Sequence, residues 1–277
     1  MTPRKIAIGA VQVGGGLPLA VIAGPCVIES KDSALRHGSA LKAAADRVGV
    51  PYIFKSSYDK ANRSSLQSFR GPGLENGLEI LAAVKEKVGV PVLTDVHEID
   101  QVERVNTVAD ILQIPAFLCR QTDFVLAVAR SGKVVNVKKG QFLAPWDMRN
   151  IVDKIRSAGN EQILLTERGA SFGYNNLVSD MRSLVVMREL GYPVVLDATH
   201  SLQLPGGLGG ASGGERQYIP TLARAGAAAG VDALFMEVHE DPEHALSDGP
   251  NSLMLKDFEG LLRIIKRIDA VVKEQQQ

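Results

Sequence analysis

No sign of charge dominates this chain, cysteine is scarce, and no apolar run stays unbroken for the length of a membrane span. Lys plus Arg and Asp plus Glu both total 31. No global field therefore draws the protein to nucleic acid or to a membrane surface, and any anion binding has to be local. The two cysteines, Cys26 and Cys119, are too few and too separated in context for a disulfide framework, which fits a reducing, cytoplasmic setting. Residues 6–28 carry no charge and follow Arg4 and Lys5 much as a signal peptide would. Yet Gly14, Gly15, Gly16, Pro18, Gly24 and Pro25 interrupt them, and Pro25 stands where a lipoprotein signal wants a small residue before its cysteine. The stretch reads as short strands joined by a glycine turn, and a soluble cytoplasmic protein is expected, without a nucleic-acid or membrane partner.

What is present is a recurrence of short β-branched runs with helical patterns between them. Eight such runs occur, at 19–24, 52–57, 91–96, 111–116, 134–139, 163–168, 193–199 and 233–239. Near-continuous apolar character marks strands buried on both faces of a parallel sheet, and amphipathic segments at 33–49 and 77–89 supply returning helices that stop at Gly before Val-Pro. Eight strand–helix units predict an α/β fold, a (β/α)8 TIM barrel. The missing GxGxxG after the first strand sets a doubly wound sheet second. Residues 6–10 and 11–19 precede the first barrel strand and predict a short N-terminal β-hairpin closing the barrel's bottom. No linker or shift in composition divides residues 1–277, so a single domain is expected. The most irregular stretch, 204–217, holds six glycines between 206 and 214 and reads as a loop after strand seven before it reads as a phosphate cradle.

A barrel of this kind gathers chemistry at the C-terminal ends of its strands. The polar residues at those ends are Cys26, Lys55, Asp95, Gln113, Lys138, Arg168, His200 and Glu237. Lys55, Lys60, Arg63, Lys138 and Arg168 form a cationic set suited to phosphate or carboxylate, with Asn62, Ser64 and Ser65 adding neutral donors in "FKSSYDKANRSS". Cys26, His200, Glu237 and Asp248 are ligand types for a borderline divalent metal. Their spacing carries no local metal signature, and residue chemistry alone leaves a packed thiol and a hydrogen-bonded imidazole as the plainer reading. Cys119 reads as a packed thiol.

The segments "IAGPCVIES", "FKSSYDKANRSS", "RGPGLENGLEIL", "ILQIPAFLCRQTD", "VNVKKGQF", "LTERGASFGYNNLVSDMRSL" and "DATHSLQLPGG" resemble the 3-deoxy-D-manno-octulosonate-8-phosphate synthase family over nearly the whole chain. The resemblance implies a homotetrameric barrel that condenses phosphoenolpyruvate with D-arabinose 5-phosphate and water, releasing inorganic phosphate, in cytoplasmic lipopolysaccharide biosynthesis. The alternative is the sister 3-deoxy-D-arabino-heptulosonate-7-phosphate synthase, which uses erythrose 4-phosphate and typically shows Lys-Pro-Arg-Thr where this chain has "KANRSS". Asn62 is then a hydroxyl-recognising discriminator. By the same resemblance Lys55, Lys60, Gln113, Lys138 and Arg168 hold phosphoenolpyruvate with the backbone near Ala116, while Asn62, Arg63, Ser64 and Asp95 meet the aldose. Arg120 reaches a neighbour's site across a subunit interface. Lys60, Lys138, His200 and Asp248 are the expected catalytic residues. One branch of the family holds a divalent metal through Cys, His, Glu and Asp, and another has Asn for the Cys and needs none. Cys26, His200, Glu237 and Asp248 match the metal-using branch, with Fe2+, Zn2+, Mn2+ and Co2+ all compatible.

Overall fold

Along β1 (Lys5–Ile8) and β2 (Val11–Gly14), Ile6, Ile8, Val11 and Val13 turn to one side and are buried. Period-two alternation makes that face apolar, and Gly9, at φ +57°, supplies the left-handed residue the tight turn needs. The antiparallel hairpin aligns Ile8 with Val11. Gly9 lies against Pro91 and Gly14 against Pro193, each just ahead of a barrel strand. The hairpin therefore covers the N-terminal end of the barrel, as its sequence position predicts.

The computed structural model describes residues 2–63, 65–207 and 212–274. After the hairpin come β3 (Ala20–Gly24), β4 (Tyr52–Lys55), β5 (Val92–Asp95), β6 (Ile111–Ile114), β7 (Val134–Lys138) and β8 (Ile163–Glu167). A two-residue ribbon of β9 (Ala170–Ser171) and β10 (Leu177–Val178) follows. Then come β11 (Val194–Asp197), a second ribbon of β12 (Gln203–Leu204) and β13 (Gly213–Gly214), β14 (Ala233–His239) and β15 (Leu253–Met254). Parallel pairing runs β11-β8-β7-β6-β5-β4-β3-β14, and a further β11–β14 pairing closes the ring at eight strands. The helices among the described residues are α1 (Lys31–Val48), α2 (Leu74–Val88), α3 (Val102–Asn106), α4 (Thr122–Arg130), α5 (Met148–Ser157), α6 (Met181–Arg188), α7 (Ile219–Ala228) and α8 (Leu255–Glu274). The chain is a (β/α)8 barrel with an N-terminal hairpin. No helix is long and apolar enough to cross a membrane among the described residues.

Helix ends follow local chemistry. The Ser30 hydroxyl accepts from the backbone N–H of Ser33 and caps α1, so the helix begins two residues before the start its apolar pattern suggests. Gly49 and Gly89 close α1 and α2 in the left-handed conformation, as the Gly-Val-Pro punctuation predicts. At the two flanks of the 204–217 stretch Gln203 and Leu204 pair with Gly214 and Gly213. Residues 208–211, within that stretch, lie outside the described residues.

Alternation along each strand separates two cores. Outward side chains pack under the helices, while Ile22, Ile53, Leu93, Ile111, Val134, Leu164, Val195 and Phe235 join the hairpin's Ile6, Ile8 and Val13 inside the ring. Phe235 is wholly buried there, worth about 1.5–3 kcal/mol for such a side chain. It is also the last apolar floor beneath the strands' C-terminal ends.

Candidate active site

Two residues beyond seven of the eight interior apolar strand positions, the same inward face turns polar; on β3 Ile22 is followed by Gly24. Ile53 is followed by Lys55, Leu93 by Asp95, Ile111 by Gln113, Val134 by Asn136 and Lys138, Leu164 by Thr166, Val195 by Asp197, and Phe235 by Glu237. All of these polar side chains are buried. The Lys138 ammonium stands 3.5 Å from the Phe235 ring centroid, so a cation rests directly on the apolar floor.

Buried polar groups have to be partnered, and here the partners form two connected systems. Lys55 Nζ donates to Glu237 Oε1 at 3.0 Å and to the carbonyl of Cys26 at 3.0 Å. Gly24 lets the backbone at the end of β4 press on β3, because a Cβ there would fall 1.9 Å from the backbone carbonyl oxygen of Lys55. Asp95 accepts from Ser57 Oγ and from Gln113 Nε2. Gln113 Oε1 in turn accepts from Asn136 at 2.7 Å, and Asn136 Oδ1 from Thr166 at 2.6 Å. In the second system Asp197 accepts from Lys138 Nζ, from the backbone N–H of His200 at 2.8 Å and from His200 Nδ1 at 2.7 Å. That bond directs Nε2 of His200 towards Glu237 Oε1, 3.3 Å away, and Asp248 Oδ2, 3.7 Å away.

Cys26 joins the same place from β3's end. Its Sγ lies 2.8 Å from Ser247 Oγ and 3.4 Å from Asp248 Oδ2. One ligand atom from each of Cys26, Glu237 and Asp248 falls within 4.8 Å of the others; His200, the expected fourth ligand, lies beside Glu237 and Asp248 but outside that mutual spacing. Glu237 Oε2 is buried and has no hydrogen-bond partner among the described residues. An orphaned carboxylate oxygen beside a thiol, a second carboxylate and an imidazole is the donor set of a borderline divalent cation, so these residues fit one.

Charge state follows from burial and neighbours. Burial pushes the Asp95 carboxyl up, but Lys55 and Lys60 outweigh it and hold it well below the ordinary carboxylate range. Burial likewise opposes ionisation of Glu237, and His200, Lys55 and Lys60 overcome it. Burial lowers Lys138 against the pull of Asp197, and it lowers Arg168 too. His200 is raised, because Asp197 and Glu237 prevail over its desolvation. Cys26 is driven up by burial and then by the fields of Asp248 and Glu237. Without a cation beside it, it is a thiol at neutral pH.

Above this floor opens a cavity of about 410 Å³ lined by Lys55, Lys60, Asn62, Arg63, Asp95, Gln113, Ala116, Lys138, Arg168, His200 and Asp248, among others. Ten residues singled out in the sequence for substrate or catalysis thus share one chamber with Lys55, while Cys26 and Glu237 lie against it. Arg120 is exposed and does not line the cavity of its own chain. Ser64 lies outside the described residues. Cys119 is wholly buried.

The sequence reading missed Asp197, Asn136, Thr166, His97 and Gln203. The first three share the inward parity of Lys138 and Glu237, so counting by twos along "VVNVKK", "ILLTER" and "PVVLDAT" identifies them. His97 lines the cavity from a loop and Gln203 from the two-residue strand β12, where no periodicity marks them. Glu167, one residue before Arg168, faces the helices instead: its Oε1 accepts from the backbone N–H of Arg168 at 3.0 Å and of Gly169 at 2.7 Å, with Lys139 Nζ 3.5 Å away. That outward pair fixes the backbone from which Arg168 enters the cavity.

Residues 3–274 match the model of the DAHP synthetase I family. The chain is 63% identical to a 2-dehydro-3-deoxyphosphooctonate aldolase of Geobacter sp. (strain M21), over 98% of this chain and 99% of the relative. It is 62% identical to the protein of that name in Trichlorobacter lovleyi and 60% identical to that in Geobacter sulfurreducens, each over 98% of this chain and 99% of the relative.

Proposed function

The chain belongs to the DAHP synthetase I family, and from that premise we propose that it is an enzyme condensing phosphoenolpyruvate with D-arabinose 5-phosphate and water to 3-deoxy-D-manno-octulosonate 8-phosphate and inorganic phosphate. The relatives' name specifies an eight-carbon acid. Subtracting the three carbons of phosphoenolpyruvate leaves a five-carbon acceptor, which argues against the four-carbon erythrose 4-phosphate of the sister enzyme. The observation that carries this function is the convergence of Lys55, Lys60, Arg63, Lys138 and Arg168 on one cavity in a chain of zero net charge. Two phosphorylated substrates repel each other, and a fixed cationic wall offsets that repulsion while holding the reacting carbons in contact.

Lys55, Lys60, Gln113, Lys138 and Arg168 hold phosphoenolpyruvate by its carboxylate and phosphate, beside the backbone at Ala116. Asn62, Arg63, Ser64 and Asp95 receive the aldose. Carbon three of phosphoenolpyruvate forms a bond to the aldehyde carbon, water oxygen adds at carbon two, and the bond from carbon two to the phosphate oxygen breaks as the carbon-two carbonyl forms. One water proton replaces the one given to the aldehyde oxygen and the other leaves on inorganic phosphate. Lys60 or Lys138 supplies the proton taken up by the aldehyde oxygen. Asp197 holds the His200 ring by Nδ1 and pairs with Lys138, which keeps both groups in register over the cavity floor. Cys26, His200, Glu237 and Asp248 hold one divalent ion of the Fe2+, Zn2+, Mn2+ or Co2+ kind, which when bound supplies Lewis acidity or a template for the aldehyde or water.

The working form is a cytoplasmic homotetramer of single-domain subunits in which Arg120 reaches a neighbour's aldose phosphate. Phosphate release measured with each substrate alone and with both tests the reaction: it is expected only with the pair. Erythrose 4-phosphate turning over faster than arabinose 5-phosphate would move the chain to the sister chemistry.

A further inference from the structure

Arg168 and Asp248 belong to different halves of the site, the anion wall and the metal-type cluster, and one side chain connects them. The Arg168 guanidinium donates through Nη2 to Gln203 Oε1 at 2.6 Å. Gln203 Nε2 donates to Asp248 Oδ2 at 3.1 Å. Arginine can only donate and a carboxylate can only accept, so the amide has a single satisfactory orientation, oxygen to Arg168 and nitrogen to Asp248. No carboxylate or ammonium side chain serves both neighbours at once.

The backbone around Gln203 is built to hold that bridge. Gln203 opens β12, and its partner across the ribbon is Gly214. A Cβ on Gly214 would fall 1.9 Å from Asn251 Oδ1, so only glycine lets the ribbon press this closely on the turn that follows Asp248. Asn251 Nδ2 donates back to the Gly213 carbonyl at 3.3 Å, and the backbone N–H of Asn251 to the Asp248 carbonyl at 2.9 Å. Asp248 itself sits in the left-handed region at φ +49°, unusual for a residue with a side chain. Ribbon and turn therefore present Gln203 and Asp248 to each other as one unit. On the other side of the bridge, Arg168 Nη1 is buried with no partner among the described residues. One arm of the guanidinium is tied to Gln203 and the other remains for an anion in the cavity.

We propose that Gln203 is a positioning residue that couples the anion grip of Arg168 to the ligand geometry of Asp248, so that losing the amide weakens phosphoenolpyruvate binding and metal retention together. This rests on the substrate and metal assignment above. Gln203→Met keeps the length and removes both bonds. It should raise the dissociation constant for phosphoenolpyruvate, titrated calorimetrically, about 10-fold, and lower the affinity for added Zn2+ about 10-fold in competition with a chromophoric chelator. Gln203→Glu keeps an acceptor for Arg168 but neutralises it and places a second carboxylate beside Asp248. It should weaken phosphoenolpyruvate binding at least as much while Zn2+ affinity does not fall, a split that a merely structural role would not produce.

Thermal unfolding of both variants reports whether they fold. If Gln203→Met unfolds, Gln203→Glu decides: phosphoenolpyruvate affinity within about twofold of wild type overturns the proposal. So does a Gln203→Met protein whose two affinities are unchanged, or one in which only one of them falls. Wild-type protein that binds neither phosphoenolpyruvate nor Zn2+ disposes of the underlying assignment instead. Wild type that binds both, with an indifferent Gln203→Met, disposes of the coupling alone.

Discussion

Lys55 and Glu237 face each other at 3.0 Å from β4 and β14, across the intervening β3, at 1% and 0% side-chain exposure. Neither charge reaches water, so each depends on the other and on the groups nearby: Lys60 at 3.8 Å and His200 at 3.3 Å from the same carboxylate oxygen. The pair also joins the anion wall to the metal-type cluster, since one member belongs to each.

Removing one partner of a buried pair costs more than removing both. Lys55→Met in metal-stripped protein should lower unfolding free energy by about 3–5 kcal/mol. Lys55→Met combined with Glu237→Gln should recover much of that loss without restoring phosphate release. Urea unfolding of the two proteins checks this, and a single variant as stable as wild type would contradict it.

Arg168→Ala deletes a planar donor that has one arm fixed and one arm free. The Michaelis constant for phosphoenolpyruvate should rise about 10- to 100-fold, the range for lost hydrogen bonds to a charged group, while that for the aldose moves much less. Equal shifts for both substrates would place Arg168 between them rather than on phosphoenolpyruvate.

Chelation should abolish phosphate release, and a divalent ion should restore it. Cys26→Asn replaces a thiol that burial and two carboxylates already keep protonated. It should lose metal, measured by elemental analysis, and still retain some turnover with Lys55, Lys138 and Arg168 intact. Full activity in metal-stripped wild type would remove the metal from the chemistry.

His37 bears on acid stability. It is buried on α1, bonded through Nδ1 to the Ser33 carbonyl at 2.8 Å, and accepts at Nε2 from the backbone N–H of Glu240 at 3.0 Å. The rings of His37 and His239 lie 4.9 Å apart, with Glu29 and Glu240 nearby. Burial, reinforced by His239, lowers the His37 pKa below its ordinary value despite the opposing Ser33 carbonyl and the two glutamates. Below about pH 6.5 the unfolded chain takes up a proton that the folded one refuses, so stability falls on acidification through that window. His37→Gln should lose less stability than wild type between pH 7.5 and 5. Parallel urea curves at both pH values would rule the effect out.

Lys55, Asp95, Gln113, Lys138 and Glu237 were legible because strand ends can be read from apolar runs that stop. Asp197 ends such a run too, in "PVVLDATH", but the imidazole three residues on is the more conspicuous group there. The structure makes it the acceptor that holds both His200 and Lys138. Gln203 carried no signal: it lies beyond the barrel strand in the two-residue β12, and its meaning lies in two partners, Arg168 and Asp248, 35 and 45 residues away.

The order of apolar runs, helix caps and glycine stops was enough to specify the hairpin, the eight-strand ring and the rim where charge collects. Those features follow from local periodicity and from the need to bury one face. Which oxygen faces which nitrogen was set by closure of the ring, which brings β14 beside β3, and by the packing of the β12–β13 pair on the turn after Asp248. Distances of about 3 Å between buried charges depend on how whole elements pack, and no repeat along a single strand encodes that.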